Sequence, residues 1–245
     1  MPFLTSQGCD LYFSDWGEPT GRPILLLHAW GLSGEMWNQQ LPDLTEAGLR
    51  CVVYDRRGHG RSDRPGRGYD LDTLADDLSS IVERLGLEDA IVVGHSMGAS
   101  EVVRYISRHG DDRVGGVVLS APTLPALLRS EANPAGVEAA VFEEARRAMR
   151  ADIGAWMART PNAEYFGPGF PMADDLGTWT RQQIAATPLP VLLACQRSFL
   201  DTDFRPELGA LDVPALVVQG TRTRPVLWTS PAALPPLRSA TASSW

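Results

Sequence analysis

Short apolar runs alternate with amphipathic stretches along most of the chain. The runs at 23–28 (PILLLH), 49–55 (LRCVVYD), 89–94 (DAIVVG), 114–120 (VGGVVLS) and 212–220 (DVPALVVQG) have the length and β-branched content of strands buried on both faces. Ahead of them, FLTSQGCDLYFSDWG alternates in polarity around Gln7-Gly8 and predicts an opening hairpin. Residues 71–86 place Leu71, Leu74, Leu78, Ile81, Val82 and Leu85 on one helical face. Residues 33–48 predict one helix with Ser33 as its cap and Gly48 as its stop, and 99–110 another, stopped by Gly110. Strand and helix alternating in this way predict a mostly parallel sheet flanked by helices. Residues 121–188 break the rhythm with a helical stretch at 137–160 and a turn-rich PNAEYFGPGFPM, which predicts a helical insertion.

The stretch IVVGHSMGAS (91–100) runs from an apolar strand through Ser96 into a helix. In G-x-S-x-G, Gly94 and Gly98 let strand and helix pass closely while the serine occupies a strained turn. The turn lifts the hydroxyl above the C-terminal edge of the sheet, where the unpaired N–H groups of the helix favour negative charge. A second donor is expected from the loop after the third strand, LLLHAWGLSGEMW, so that the peptide N–H groups of Trp30 and Met97 converge on one oxygen.

Composition narrows the classes. A net charge of −8 and a pI near 5.0 exclude an electrostatic footprint for nucleic acid or anionic membrane. No apolar run reaches membrane-spanning length and the first ten residues have no leader pattern, so a cytoplasmic protein is expected. Cys9, Cys51 and Cys195 have no metal-ligand spacing, and no haem, flavin or metal motif occurs, so neither cofactor nor metal is expected.

Four segments in order, HAWGLSGEMW, YDRRGHGRSD, VVGHSMGASEVVRY and FLDTDFRPELGALDVPALVVQG, resemble the α/β-hydrolase superfamily. The likeness is closest to its cofactor-free haloperoxidase, perhydrolase and aryl-esterase branch. The resemblance implies Ser96 as nucleophile, Trp30 and Met97 as oxyanion donors, residues 121–188 as a helical cap, and a discontinuous core of 1–120 and 189–222. Ala29 departs from it, standing where the family usually has glycine. The resemblance also implies a triad acid after the strand PALVVQG and a histidine further on. Thr223 occupies the acid's position, and after His109 there is no histidine. None of the four histidines is placed to serve Ser96: His28 ends a strand, His59 lies in a Gly/Arg loop, His95 is adjacent and points away, and His109 ends a helix. Asp55 is expected to pair with the arginines after it, and Asp201, Asp203 and Glu207 to cap or pair locally.

All 22 basic residues are arginine, which suggests a GC-rich genome. The 33 residues after Asp212 contain no acidic residue although 30 precede them. An atypical tail over 223–245 is therefore expected, with the family's last strand and helix missing. A shifted reading frame and genuine divergence both account for it.

The expected chemistry is acyl transfer on small carboxylic esters or lactones through an acyl-enzyme on Ser96, with perhydrolase or haloperoxidase side activity. Trp156, Tyr165, Phe166, Phe170 and Trp179 are candidates to line an apolar or aromatic acyl pocket. The absent acid and base predict trace turnover. The alternative is a pseudoenzyme of the same fold that binds a small ligand without turning it over.

Overall fold

The computed structural model describes residues 2–159 and 174–220. β1 (Phe3–Ser6) and β2 (Cys9–Trp16) form the hairpin, with Gln7 and Gly8 both at positive φ in its turn. β3 (Pro23–Leu27), β4 (Arg50–Tyr54), β5 (Ala90–His95), β6 (Val114–Ser120) and β7 (Ala215–Val218) complete a seven-stranded sheet of order β1-β2-β4-β3-β5-β6-β7. Pairing is antiparallel through β1, β2 and β4 and parallel across the rest.

Register sorts the strand residues onto two faces. Leu25, Val52, Val92, Val117 and Ala215 lie side by side and pack on α2 (Leu71–Arg84) and α3 (Met97–His109). Ile24, Cys51, Ile91 and their i+2 neighbours face the other way, onto Trp37 and α1 (Leu41–Glu46). α2 starts at Asp70, whose carboxylate accepts the Thr73 N–H at 2.9 Å, and its predicted stripe is buried except for Leu85, which packs at the margin.

The predicted helix over 33–48 and the helical stretch at 137–160 each comprise two elements. Residues 33–48 divide into a short 3-10 helix (Gly34–Trp37), capped by Ser33, and α1, because Pro42 has no N–H to continue the first ladder and starts a new one. Residues 137–160 divide into α4 (Ala139–Ala151) and α5 (Ile153–Arg159) at Asp152, whose extended backbone ends one helix while its carboxylate accepts the Ala155 N–H at 2.9 Å and starts the next. α6 (Asp174–Ala186) and α7 (Leu189–Leu200) follow, separated at Pro188, and α8 (Arg205–Leu208) leads into β7. α4 and α7 bring Phe142, Val191, Cys195 and Phe199 onto Met97, Leu74 and Tyr69. Residues inserted between β6 and β7 thus lie over the C-terminal end of β5. Among the described residues no helix is long and apolar enough to cross a membrane. The expected atypical tail, Thr223 included, lies outside the described residues, as does the question of a strand beyond β7.

Candidate active site

Ser96 stands between β5 and α3 with φ +54° and ψ −115°, a conformation that L-residues avoid and that is held only when the surroundings over-determine it. The restraints are visible. Its N–H donates to the Ser120 carbonyl at 2.9 Å, fixing the turn to β6. A Cβ on Gly94 would lie 2.5 Å from the Gly98 carbonyl group, and one on Gly98 would lie 2.8 Å from the Leu27 carbonyl oxygen. The two glycines are therefore obligatory for the approach of strand and helix. Ser96 is half-buried, and its hydroxyl bonds no other described residue.

The neighbouring peptides are aimed by their own carbonyls. In a trans peptide the C=O and the following N–H point in opposite directions. The Ser96 carbonyl accepts the Ala99 N–H at 3.0 Å and the Thr123 hydroxyl at 3.3 Å, which fixes where the Met97 N–H points. The Ala29 carbonyl lies 2.8 Å from His28 Nδ1, while His28 Nε2 accepts the Arg56 N–H at 3.0 Å. That pair of contacts places the proton on Nδ1 and fixes the Trp30 N–H. Neither the Trp30 nor the Met97 N–H donates to another described residue. The same loop is also held by the stretch inserted between β6 and β7. Thr187 donates to the Gly31 carbonyl, Gln183 Oε1 accepts from Ser33 N and Oγ, and the Trp30 indole donates to the Leu192 carbonyl at 2.9 Å.

The four histidines are engaged elsewhere. His28 is fully buried, and burial followed by the Arg56 charge and His59 holds its pKa well below the ordinary value. His59 is buried too, its Nδ1 on the Arg57 carbonyl at 3.0 Å and its ring 5.1 Å from that of His28. Burial, then Arg56, pushes its pKa down to about 3. His95 turns its Nδ1 to the Ser120 hydroxyl at 3.1 Å, and burial lowers its pKa as well. His109 pairs with Asp76 at 2.8 Å on the surface. None of them bonds the Ser96 hydroxyl.

The neutrality of His59 has a measurable consequence. The unfolded chain protonates this ring below about pH 6.5 and the folded chain does so only near pH 3, so stability is full above 6.5 and falls as pH drops. Between pH 5.5 and 4 the parent is expected to lose about 1.4 kcal/mol per pH unit more than a His59→Asn variant. The subtraction removes Asp55 and Glu101, whose pKa values burial raises and which act in the opposite sense. Urea melts of the two proteins at several pH values measure the difference, and parallel slopes would contradict it.

The acids are structural. Asp55 accepts the Gly34 N–H at 2.7 Å and the Arg61 N–H at 2.8 Å, with the Arg61 guanidinium only at 3.9 Å. Arg61 of the following loop is thus a partner as expected, mainly through its backbone N–H, and the Gly34 amide is a second one. Asp203 pairs locally with Arg205. Asp201 lies 3.6 Å from Arg146, and Glu207 reaches Arg104 on α3 at 2.7 Å, a partner distant in sequence rather than a local one. All three cysteines are buried, and burial raises the thiols, Cys195 to about 12 and Cys9 and Cys51 to about 11.

A model of the family described as alpha/beta hydrolase fold matches residues 22–237. The chain belongs to that family. Within the alpha/beta hydrolases it is 38% identical over 225 residues to a non-heme haloperoxidase of Rhodococcus erythropolis, covering 90% of this chain and 81% of the relative. It is 33% identical to a bifunctional esterase/perhydrolase of Acinetobacter calcoaceticus, covering 88% and 79%. Among solved structures, a bromoperoxidase from Bacillus anthracis superposes with a TM-score of 0.79 at 35% identity, covering 87% of this chain and 78% of that one.

Several residues around the hydrolase elbow were not singled out from the sequence. Thr123 has no sequence signal, since its relation to Ser96 exists only once β6 pairs with β5. Glu101 had one: it is a charge within the apolar stripe of α3, between Met97 and Tyr105 at spacings of four. Of the candidate pocket aromatics, Trp156 meets Trp30 edge-to-face at 6.1 Å and Trp179 is half-buried, while Tyr165, Phe166 and Phe170 lie outside the described residues.

Proposed function

We propose that the protein is a serine hydrolase for small carboxylic esters or lactones, forming an acyl-enzyme on Ser96. The observation that carries this reading is the strained Ser96 at the start of α3, together with Trp30 and Met97 peptide N–H groups that donate to no other described residue. In the reaction the Ser96 oxygen adds to the substrate carbonyl, the Trp30 and Met97 N–H groups receive the oxyanion, and the alcohol departs with the serine's proton. Water then releases the acid. Peroxide in place of water would give the peracid, in keeping with the perhydrolase and haloperoxidase names of two relatives. The helices inserted between β6 and β7 act as a cap, and the apolar cluster of Met157, Ile184 and Leu192 against Trp30 suits a small apolar acyl group.

Turnover is slow in this reading. The four histidines have other partners, so the serine stays protonated. Loss of the triad in a serine protease costs on the order of 10⁶ in kcat and leaves about 10³–10⁴ over water, which is the scale expected here. The same engagement of the histidines favours a second reading, a small-ligand-binding pseudoenzyme. Hydrolysis of p-nitrophenyl butyrate by the parent and by Ser96→Ala decides between them. A parent rate roughly tenfold or more above the variant supports the acyl-enzyme. Equal rates, with saturable binding of the ester, support the pseudoenzyme.

A further inference from the structure

Beneath the oxyanion loop lies an ion pair with almost no contact with water. Arg56, at the end of β4, and Glu101, on α3, have side chains 1% and 0% exposed, and the Arg56 Nε donates to Glu101 Oε2 at 2.6 Å. The other Glu101 oxygen accepts the Tyr54 hydroxyl. The rest of the guanidinium turns to the oxyanion loop. Nη2 donates to the His28 carbonyl at 2.9 Å, and Nη1 lies 3.3 Å from His28 Nδ1, where with the proton on Nδ1 it is a neighbour and not a donor. The Arg56 backbone N–H holds the opposite nitrogen of the same ring. Arg56 thus grips His28 at its carbonyl and its ring, and His28 in turn fixes the Ala29 carbonyl whose peptide carries the Trp30 N–H. Glu101 lies one turn along α3 from Met97, so the guanidinium spans from the strand end that carries one donor to the helix that carries the other.

We infer that Arg56 is a positioning residue that sets the separation and aim of the Trp30 and Met97 N–H groups by clamping His28 and Glu101 together. An apolar side chain could fill the same space but could not satisfy the buried His28 carbonyl, which accepts from Arg56 Nη2 at 2.9 Å. A lysine could balance Glu101 but could not also reach the His28 carbonyl, because an ammonium is a point charge and the guanidinium is a fork. The geometry therefore needs arginine for its shape, beyond its charge.

The inference rests on the oxyanion reading above, and the test keeps the two apart. In Arg56→Lys, amide exchange over residues 28–33, followed by mass spectrometry, is expected to speed up by about tenfold while the fold is retained. The Ser96-dependent rate on p-nitrophenyl butyrate should fall about tenfold in kcat with KM unchanged, since the oxyanion donors act on the transition state more than on the bound ester. A purely charge-balancing role would be rescued by lysine, leaving exchange and kcat within about twofold of the parent, and that result overturns the clamp. If Arg56→Lys does not fold, the charge-free pair Arg56→Met with Glu101→Leu takes its place. Fast exchange at 28–33 in that protein supports the clamp, and parent-like exchange refutes it. Should the parent show no Ser96-dependent hydrolysis, the exchange measurement still decides the clamp while the proposed function fails separately.

Discussion

Replacing Glu101 with alanine lowers the unfolding free energy by about 3–5 kcal/mol, a large share of the roughly 5–15 kcal/mol typical of a domain. The effect follows from asymmetry. The intact Arg56–Glu101 pair adds little net stability, because its attraction is offset by the water both groups lose. Removing one partner leaves the other charged, unpaired and fully buried, with the Tyr54 hydroxyl also stranded. Urea denaturation of Glu101→Ala measures the loss, and the charge-free Arg56→Met/Glu101→Leu pair should regain much of it. A single variant within about 1 kcal/mol of the parent would mean that water or another group reaches the guanidinium.

Gly94→Ala is the second large effect. The added methyl would meet the Gly98 carbonyl carbon and oxygen at 2.5 Å and the Ala99 nitrogen at 2.6 Å, all backbone atoms of the first turn of α3. No rotamer change relieves such an overlap, so the helix must move away from the strand. Overpacking of this kind costs about 3 kcal/mol, near the upper end of its usual range, because backbone and not a side-chain tip must yield. The displacement carries Ser96 and Met97 with it, so any Ser96-dependent hydrolysis should disappear in protein that still folds. A melting temperature and an ester rate both close to the parent's would show that the elbow has slack that its contacts do not suggest.

The strands were legible because each is an apolar run of the right length, and β3, β4, β5, β6 and β7 fall within a few residues of the runs read from the sequence. The elbow was legible because glycine at 94 and 98 around a serine is a local steric requirement that leaves a local signature. Helix boundaries were less so. The break at Asp152 is decided by an extended backbone and a cap in competition with a continuous helical pattern, and the split before α1 by a proline that by itself also permits a kinked single helix. The partners of Asp55 were legible in part: Arg61 of the following loop bonds it as expected, whereas the Gly34 amide becomes a donor only when its loop folds back on the carboxylate.

The sequence by itself determined the layer architecture, the strained serine turn and the family, since each rests on periodicity or on residues adjacent in the chain. Only the tertiary structure decided that His28 and His59 are buried and neutral, that Arg56 bridges two strand-separated elements through Glu101, and that Thr123 from beyond β6 steadies the Ser96 carbonyl. Those relations join residues 27 to 45 positions apart. A hydrogen bond between such residues depends on how the sheet stacks its strands and where α3 crosses them, and a pattern along the chain carries no record of that geometry.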